Sequence, residues 1–282
     1  MRHAPHIAAP GFIRTADGVD LFYRDWDQPG GAPVLLVGGW SLPSDAWNYQ
    51  MLALHDQGLR VIAFDRRGHG RSSDPGRGYD FDTLADDIAA VMEALDLHGV
   101  TLVGHSMGCN EIVRCLSRHG SARVRRVALL GTMTPVVKRL PDNPDGFDPA
   151  LFDYFRNELL GKDFPQWLDD NTGPFLTPET SPAIAGWLKQ LALGTSALAL
   201  RECNRAVTET DFRAELARID LPVLLIAGDM DVSAPLELTA RRTAALLPNA
   251  RLKVYAGAPH GMFITHMGRV NGDLIEFISE PA

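Results

Sequence analysis

The sequence predicts an α/β fold: a mostly parallel sheet, flanked by helices and interrupted by a helical insertion. Three observations carry this expectation. Between residues 33 and 130, short apolar runs of strand length alternate with stretches of helical spacing, the pattern of βαβ units. The alternation stops at Gly131 and resumes only at Pro222. One apolar run, residues 100–103, leads into Gly104-His105-Ser106-Met107-Gly108, and a helix-compatible run over 110–118 follows at once. In that strand–turn–helix setting G-x-S-x-G reads as a sharp elbow that lifts a serine above the sheet. Glycines on both flanks leave strand and helix backbones free to close around Ser106.

In chain order, residues 11–15 and 19–26 have strand character and flank Asp17-Gly18, a strong hairpin-turn signal. Residues 33–37 form a continuous apolar run of buried-strand length, ending in Gly38-Gly39-Trp40. Helical spacing over 46–57 precedes a second buried strand at 59–64, which ends in Asp65-Arg66-Arg67-Gly68-His69-Gly70-Arg71-Ser72. That segment reads as a buried polar turn bracing the sheet. Residues 81–97 are an amphipathic helix with Leu84, Ile88, Val91, Met92 and Leu95 on one face. After the elbow comes a strand at 124–130. Residues 135–219 are rich in proline and aromatics and read as helices over 148–160, 165–170, 181–193 and 196–206. Strands return at 222–227 and 252–255, with helices at 236–247 and 269–278. The expected organisation is therefore a core of residues 1–134 and 220–282 carrying a helical cap of residues 135–219, with eight strands in the sheet.

Composition narrows the function. A net charge of -8 argues against a nucleic-acid surface, and lysines and arginines are scattered rather than striped. No apolar run approaches the ~20 residues of a membrane span. Residues 1–10 lack the apolar segment of a secretory signal. Cys109, Cys115 and Cys203 cannot all pair and read as small buried residues of a reducing compartment. A cytoplasmic enzyme is the expectation. No His, Cys or carboxylate cluster has metal-ligand spacing, and Gly68-x-Gly70 lacks the third glycine of a dinucleotide site. No metal or cofactor is expected.

A serine hydroxyl needs a base within hydrogen-bond reach, and the base needs an orienting acid. In a sheet of this kind the chain order is serine, acid, histidine. The acid is sought in Gly228-Asp229-Met230-Asp231, directly after a buried strand. Asp231, three residues past the strand, can curl back over the sheet edge, and it is favoured over Asp229. Only His260 and His266 follow. His260 lies in a loop after the last strand, and His266 is placed near the final helix for capping or packing. The attacked carbonyl needs backbone donors. The N–H of Met107 sits at a helix N-terminus, and that of Trp40 follows two glycines after the 33–37 strand.

These motifs resemble the α/β-hydrolases, in particular the cofactor-free haloperoxidase and aryl-esterase branch. The resemblance rests on Gly38-Gly39-Trp40, the Asp65 to Ser72 turn, the elbow, Asp142-Asn143-Pro144-Asp145-Gly146, Thr210-Asp211-Phe212-Arg213, Gly228-Asp229-Met230-Asp231 and Ala258-Pro259-His260-Gly261. It implies the α/β-hydrolase fold and a Ser106/Asp231/His260 triad with Trp40 and Met107 as oxyanion donors. It implies neither metal nor haem. Three positions depart from the family pattern: Gly38 stands where histidine is usual, Ser41 where proline is common in peracid-forming members, and Cys109 where a further glycine is common. The first two favour plain ester hydrolysis over peracid formation.

The expected activity is thus serine hydrolysis of a carboxylic ester or lactone, with a small apolar molecule as partner and neither nucleic acid nor membrane. Alternatives on the same residues are a macrocyclic-lactone or bulky-ester hydrolase, a C–C bond hydrolase, a perhydrolase and a non-catalytic receptor. Phe152, Tyr154, Phe155, Trp167, Phe175 and Trp187 are the cap aromatics divided between pocket wall and cap core. The sequence sets no oligomeric state.

Overall fold

Five strands read as near-continuous apolar runs because both of their faces are covered. They are β4 (Pro33–Val37), β5 (Arg60–Phe64), β6 (Val100–His105), β7 (Val124–Leu130) and β8 (Val223–Gly228). The computed structural model describes residues 4–281. The first three positions of the N-terminal stretch, His3 among them, and Ala282 lie outside the described residues.

The sheet has nine strands in the order β1-β2-β3-β5-β4-β6-β7-β8-β9. The hairpin strands expected around Asp17-Gly18 are β2 (Phe12–Arg14) and β3 (Asp20–Trp26), and β9 (Ala250–Tyr255) closes the far edge. The count of eight is corrected by β1 (His6–Ala9), which pairs antiparallel with β2. All four of its residues are exposed, so no burial pattern marks it in the sequence. From β5 to β9 every pairing is parallel.

Side chains alternate across the strands and divide the core into two layers. Leu35, Ile62, Leu102, Val127 and Leu225 face α2 (Phe81–Ala94) and α3 (Met107–His119). Val34, Leu36, Val61, Val103, Leu224 and Ile226 face α1 (Asn48–His55) and the C-terminal helix. The chain leaves β4 for β5 on one side and returns to β6 on the other. The crevice beyond the carboxyl ends of β4 and β6 is therefore a topological switch point, where ligands bind in open α/β sheets.

The Asp65 to Ser72 turn closes this end of β5. Asp65 is fully buried and accepts from the backbone N–H groups of Ser44 and Arg71 at 2.7 and 2.8 Å. Arg67 forms a buried two-point pair with Asp87 of α2 at 2.6 and 2.7 Å.

Between β7 and β8 lie only helices and loops: α4 (Pro149–Tyr154), a π-helical turn (Phe155–Leu160), α5 (Phe164–Phe175), α6 (Pro182–Leu193), α7 (Ala197–Glu209) and α8 (Arg213–Leu216). Their starts follow sequence signals. Asp148, Asp163, Ser181 and Ser196 each cap a helix by accepting a backbone N–H, and proline opens three of the four. The helix read over 165–170 runs on to Phe175, through Pro174 in its last turn. The chain ends in α9 (Ala240–Leu246), α10 (Met262–Thr265) and α11 (Met267–Ser279). No single described helix is long and apolar enough to cross a membrane.

Candidate active site

Ser106 sits between β6 and α3 with φ 53° and ψ -119°. This left-handed backbone strains any residue with a Cβ, typically by about 1–3 kcal/mol. Contacts on both flanks hold it there. A Cβ on Gly108 would collide with the carbonyl oxygen of Val37 and lie 2.8 Å from that of Gly38. A Cβ on Gly104 would lie 2.8 Å from Ile112 Cδ1. The first turn of α3 thus rests directly on the end of β4. Met107 is the first residue of α3, so its N–H has no intrahelical partner, and the residue lines the same cavity as the serine.

His260 reaches the serine from the loop after β9. Its Nε2 lies 2.8 Å from Ser106 Oγ, and its Nδ1 lies 2.7 Å from Asp231 Oδ2. A carboxylate only accepts, so Nδ1 carries the proton and Nε2 is left to accept from the serine hydroxyl. Asp231 Oδ1 accepts from the backbone N–H groups of Ser233 and Ala234 at 2.9 and 2.7 Å, which fixes the carboxylate. Ser106, Asp231 and His260 are all buried. The competing residues lie elsewhere. Asp229 is exposed and accepts from the N–H of Gly257 at 2.7 Å. His266 precedes α11, makes no capping bond and packs on the ring of Tyr255.

His105 escaped the sequence reading, because the chain-order rule considers only histidines after the acid. It lies under the site, with Nε2 donating to the carbonyl of His260 at 3.0 Å and its ring 4.8 Å from that of His260. Its one sequence signal is its place beside the serine. Burial and the neighbouring His260 pull its pKa down to about 3, so it is neutral. His69 is held well below its ordinary value by burial and the Arg66 charge.

The loop after β4 forms the opposite wall. The Trp40 ring meets Phe155, Phe164 and Trp167 edge-on at 5.6 to 5.8 Å, and its Nε1 donates to the carbonyl of Leu200 at 2.8 Å. The Trp40 backbone N–H has no hydrogen-bond partner among the described residues. Ser41 has φ 66°, and its carbonyl accepts from Thr195 Oγ1 at 2.9 Å. Two hydrogen bonds therefore tie this loop to the corner between α6 and α7.

Ser106, His260 and Trp40 open into one cavity of about 230 Å³ with a mainly apolar lining. Of the six cap aromatics named from the sequence, Phe155, Trp167 and Phe175 line it. Phe152 packs on Phe147, Trp187 packs on Tyr49, and Tyr154 is exposed.

Known proteins resemble this chain in sequence and in fold. A family model described as alpha/beta hydrolase fold matches residues 32–267. The chain is 42% identical over 274 residues to a non-heme chloroperoxidase of Streptomyces lividans, covering 95% of this chain and 99% of that one. It is 38% identical to a bifunctional esterase/perhydrolase of Acinetobacter calcoaceticus, covering 95% and 99%. Among solved structures, a bromoperoxidase from Bacillus anthracis superposes with a TM-score of 0.89 at 34% identity, covering 93% of this chain and 96% of that one.

Two outcomes follow for stability. Gly108→Ala forces α3 off the end of β4 and costs about 1–3 kcal/mol in urea unfolding, as overpacking of a tight contact does. The neutral buried histidines contribute to the acid response. Their folded pKa values lie below the ordinary 6.5, so the unfolded chain binds more protons between that value and the folded one. The His105 contribution is complete above about pH 6.5 and is lost as pH falls toward 3. On going from pH 6.5 to 4 the wild-type urea midpoint therefore falls relative to that of His105→Phe.

Proposed function

The chain belongs to the α/β-hydrolase superfamily, in its haloperoxidase and esterase branch, and on that premise we propose that it is a serine hydrolase of small apolar carboxylic esters or lactones. The observation that carries this reading is the unbroken hydrogen-bond line from Asp231 through His260 to Ser106, opening on an apolar cavity.

Ser106 Oγ attacks the ester carbonyl while His260 Nε2 takes its proton. The Trp40 and Met107 N–H groups hold the oxyanion that forms, and the α3 N-terminus adds a favourable dipole. His260 then passes its proton to the departing alkoxide, and the alcohol leaves an acyl-Ser106 ester. Water, deprotonated by the same imidazole, attacks that ester; the imidazolium returns the proton to the departing Ser106 Oγ, and the carboxylic acid is released. Asp231 keeps Nδ1 protonated and stabilises the imidazolium.

Cavity size supports the substrate class. About 230 Å³ lies below the ~300–1,000 Å³ of drug-sized ligand sites, which favours short acyl and alcohol groups over a macrocyclic lactone. A second reading is favoured by the relative named esterase/perhydrolase: hydrogen peroxide replaces water on the acyl-enzyme and yields a peracid. Ser41 weighs against it as the main activity. Its φ of 66° is closed to proline, so this loop is shaped differently from one with proline at that position.

A fluorophosphonate probe followed by mass spectrometry labels Ser106 in the wild type and nothing in Ser106→Ala. On p-nitrophenyl esters, Ser106→Ala lowers kcat by at least about 10³-fold and Asp231→Asn by roughly 10³–10⁴-fold. In the same series kcat/KM is highest for acetate to butyrate and at least about tenfold lower for decanoate, the expected result for a short apolar pocket. Retained turnover in Ser106→Ala, or labelling at another residue, overturns the reading.

A further inference from the structure

Beneath the site lies a buried guanidinium that the chemistry above does not use. Arg66 is 3% exposed, and its Nη2 donates to the carbonyl of Gly38 at 2.6 Å. Its Nη1 donates to the carbonyl of Gly39 at 3.2 Å, and its Nε donates to Glu111 Oε1 at 2.6 Å. Arg66 Nη2 also pairs with the same oxygen of Glu111. Glu111 is on α3, fully buried, with its other oxygen unpartnered among the described residues.

We propose that Arg66 is a positioning residue for the oxyanion donor: by gripping the Gly38 and Gly39 carbonyls it sets the direction of the Trp40 N–H, with Glu111 holding the guanidinium from behind. The inference rests on the ester-hydrolase reading above.

The argument begins with the glycines. A Cβ on Gly39 would lie 2.6 Å from His105 Nδ1 and 3.4 Å from Ser106 Cβ, so only glycine lets the loop come this close to the nucleophile. Two successive glycines also leave the peptide planes free to turn. A trans peptide points its C=O and N–H in opposite directions. Fixing the Gly39 carbonyl toward Arg66 therefore aims the N–H of the same peptide unit, that of Trp40, the other way. Among the described residues the only other donor to that carbonyl is the Leu42 N–H at 3.3 Å. A cation on the carbonyl also polarises the peptide and strengthens its N–H as a donor. The arrangement sets a pre-aimed dipole before charge develops, which is where such donors gain their effect.

A plain structural ion pair would leave kinetics untouched once the fold is restored, and two variants separate the cases. Arg66→Lys keeps a cation beside Glu111 but cannot serve two carbonyls and a carboxylate from one fork. Arg66→Met with Glu111→Leu removes both charges, so no unpaired carboxylate stays buried. With p-nitrophenyl acetate, both lower kcat about 10–100-fold with KM within about threefold, less than the roughly 10²–10³-fold cost of removing an oxyanion donor outright. Inhibition by phenylboronic acid, which forms a tetrahedral adduct on serine, weakens by the same factor, while the melting temperature of the double variant stays at or above that of the wild type. A kcat within about threefold of the wild type in Arg66→Lys, or in a stable double variant, overturns the proposal, as does unchanged boronate affinity. Wild-type turnover that survives Ser106→Ala instead overturns the hydrolase reading itself.

Discussion

Everything at the catalytic end of the molecule depends on one abutment: the first turn of α3 pressed against the last residues of β4. That contact holds Ser106 in a backbone conformation the residue would not choose. It also brings the start of α3 against the loop that leads to Trp40. The strain is sustained because β6 is paired on both edges and covered on both faces, so the elbow has nowhere to relax. Local cost is met by global packing, as at many functional sites.

The electrostatics follow the same logic of fixing orientation in advance. Asp231 is held by two backbone donors, His260 is held by Asp231 and through its carbonyl by His105, and His105 is kept neutral by burial. No side chain in this chain of contacts has to turn for a proton to move from serine to imidazole. In a water-poor cleft such preset dipoles count for more than they would in solvent.

Features set by local pattern were legible in the sequence. The buried strands, the elbow and its two glycines, and the choice of Asp231 over Asp229 each follow from spacing within a few residues. Features set by tertiary contact were not. β1 is a fully exposed four-residue strand without alternation, so only pairing with β2 defines it. Nothing along the chain distinguishes Phe155, Trp167 and Phe175, which face the cavity, from Phe152 and Trp187, which pack elsewhere; the difference lies in how the helices turn over the sheet. α5 extends to Phe175, past the end read at residue 170 and with Pro174 inside it, so the local pattern there understated the helix. His105 was passed over because chain order, which identifies the reacting groups, is silent about what lies beneath them.

Two hydrogen bonds, from Trp40 Nε1 to the Leu200 carbonyl and from Thr195 Oγ1 to the Ser41 carbonyl, join the helices over the pocket to the loop that walls it. Exchanging residues 135–219 for the corresponding segment of a relative would alter selectivity and turnover together. A change in those helices is thus felt in the loop wall as well as in the pocket lining.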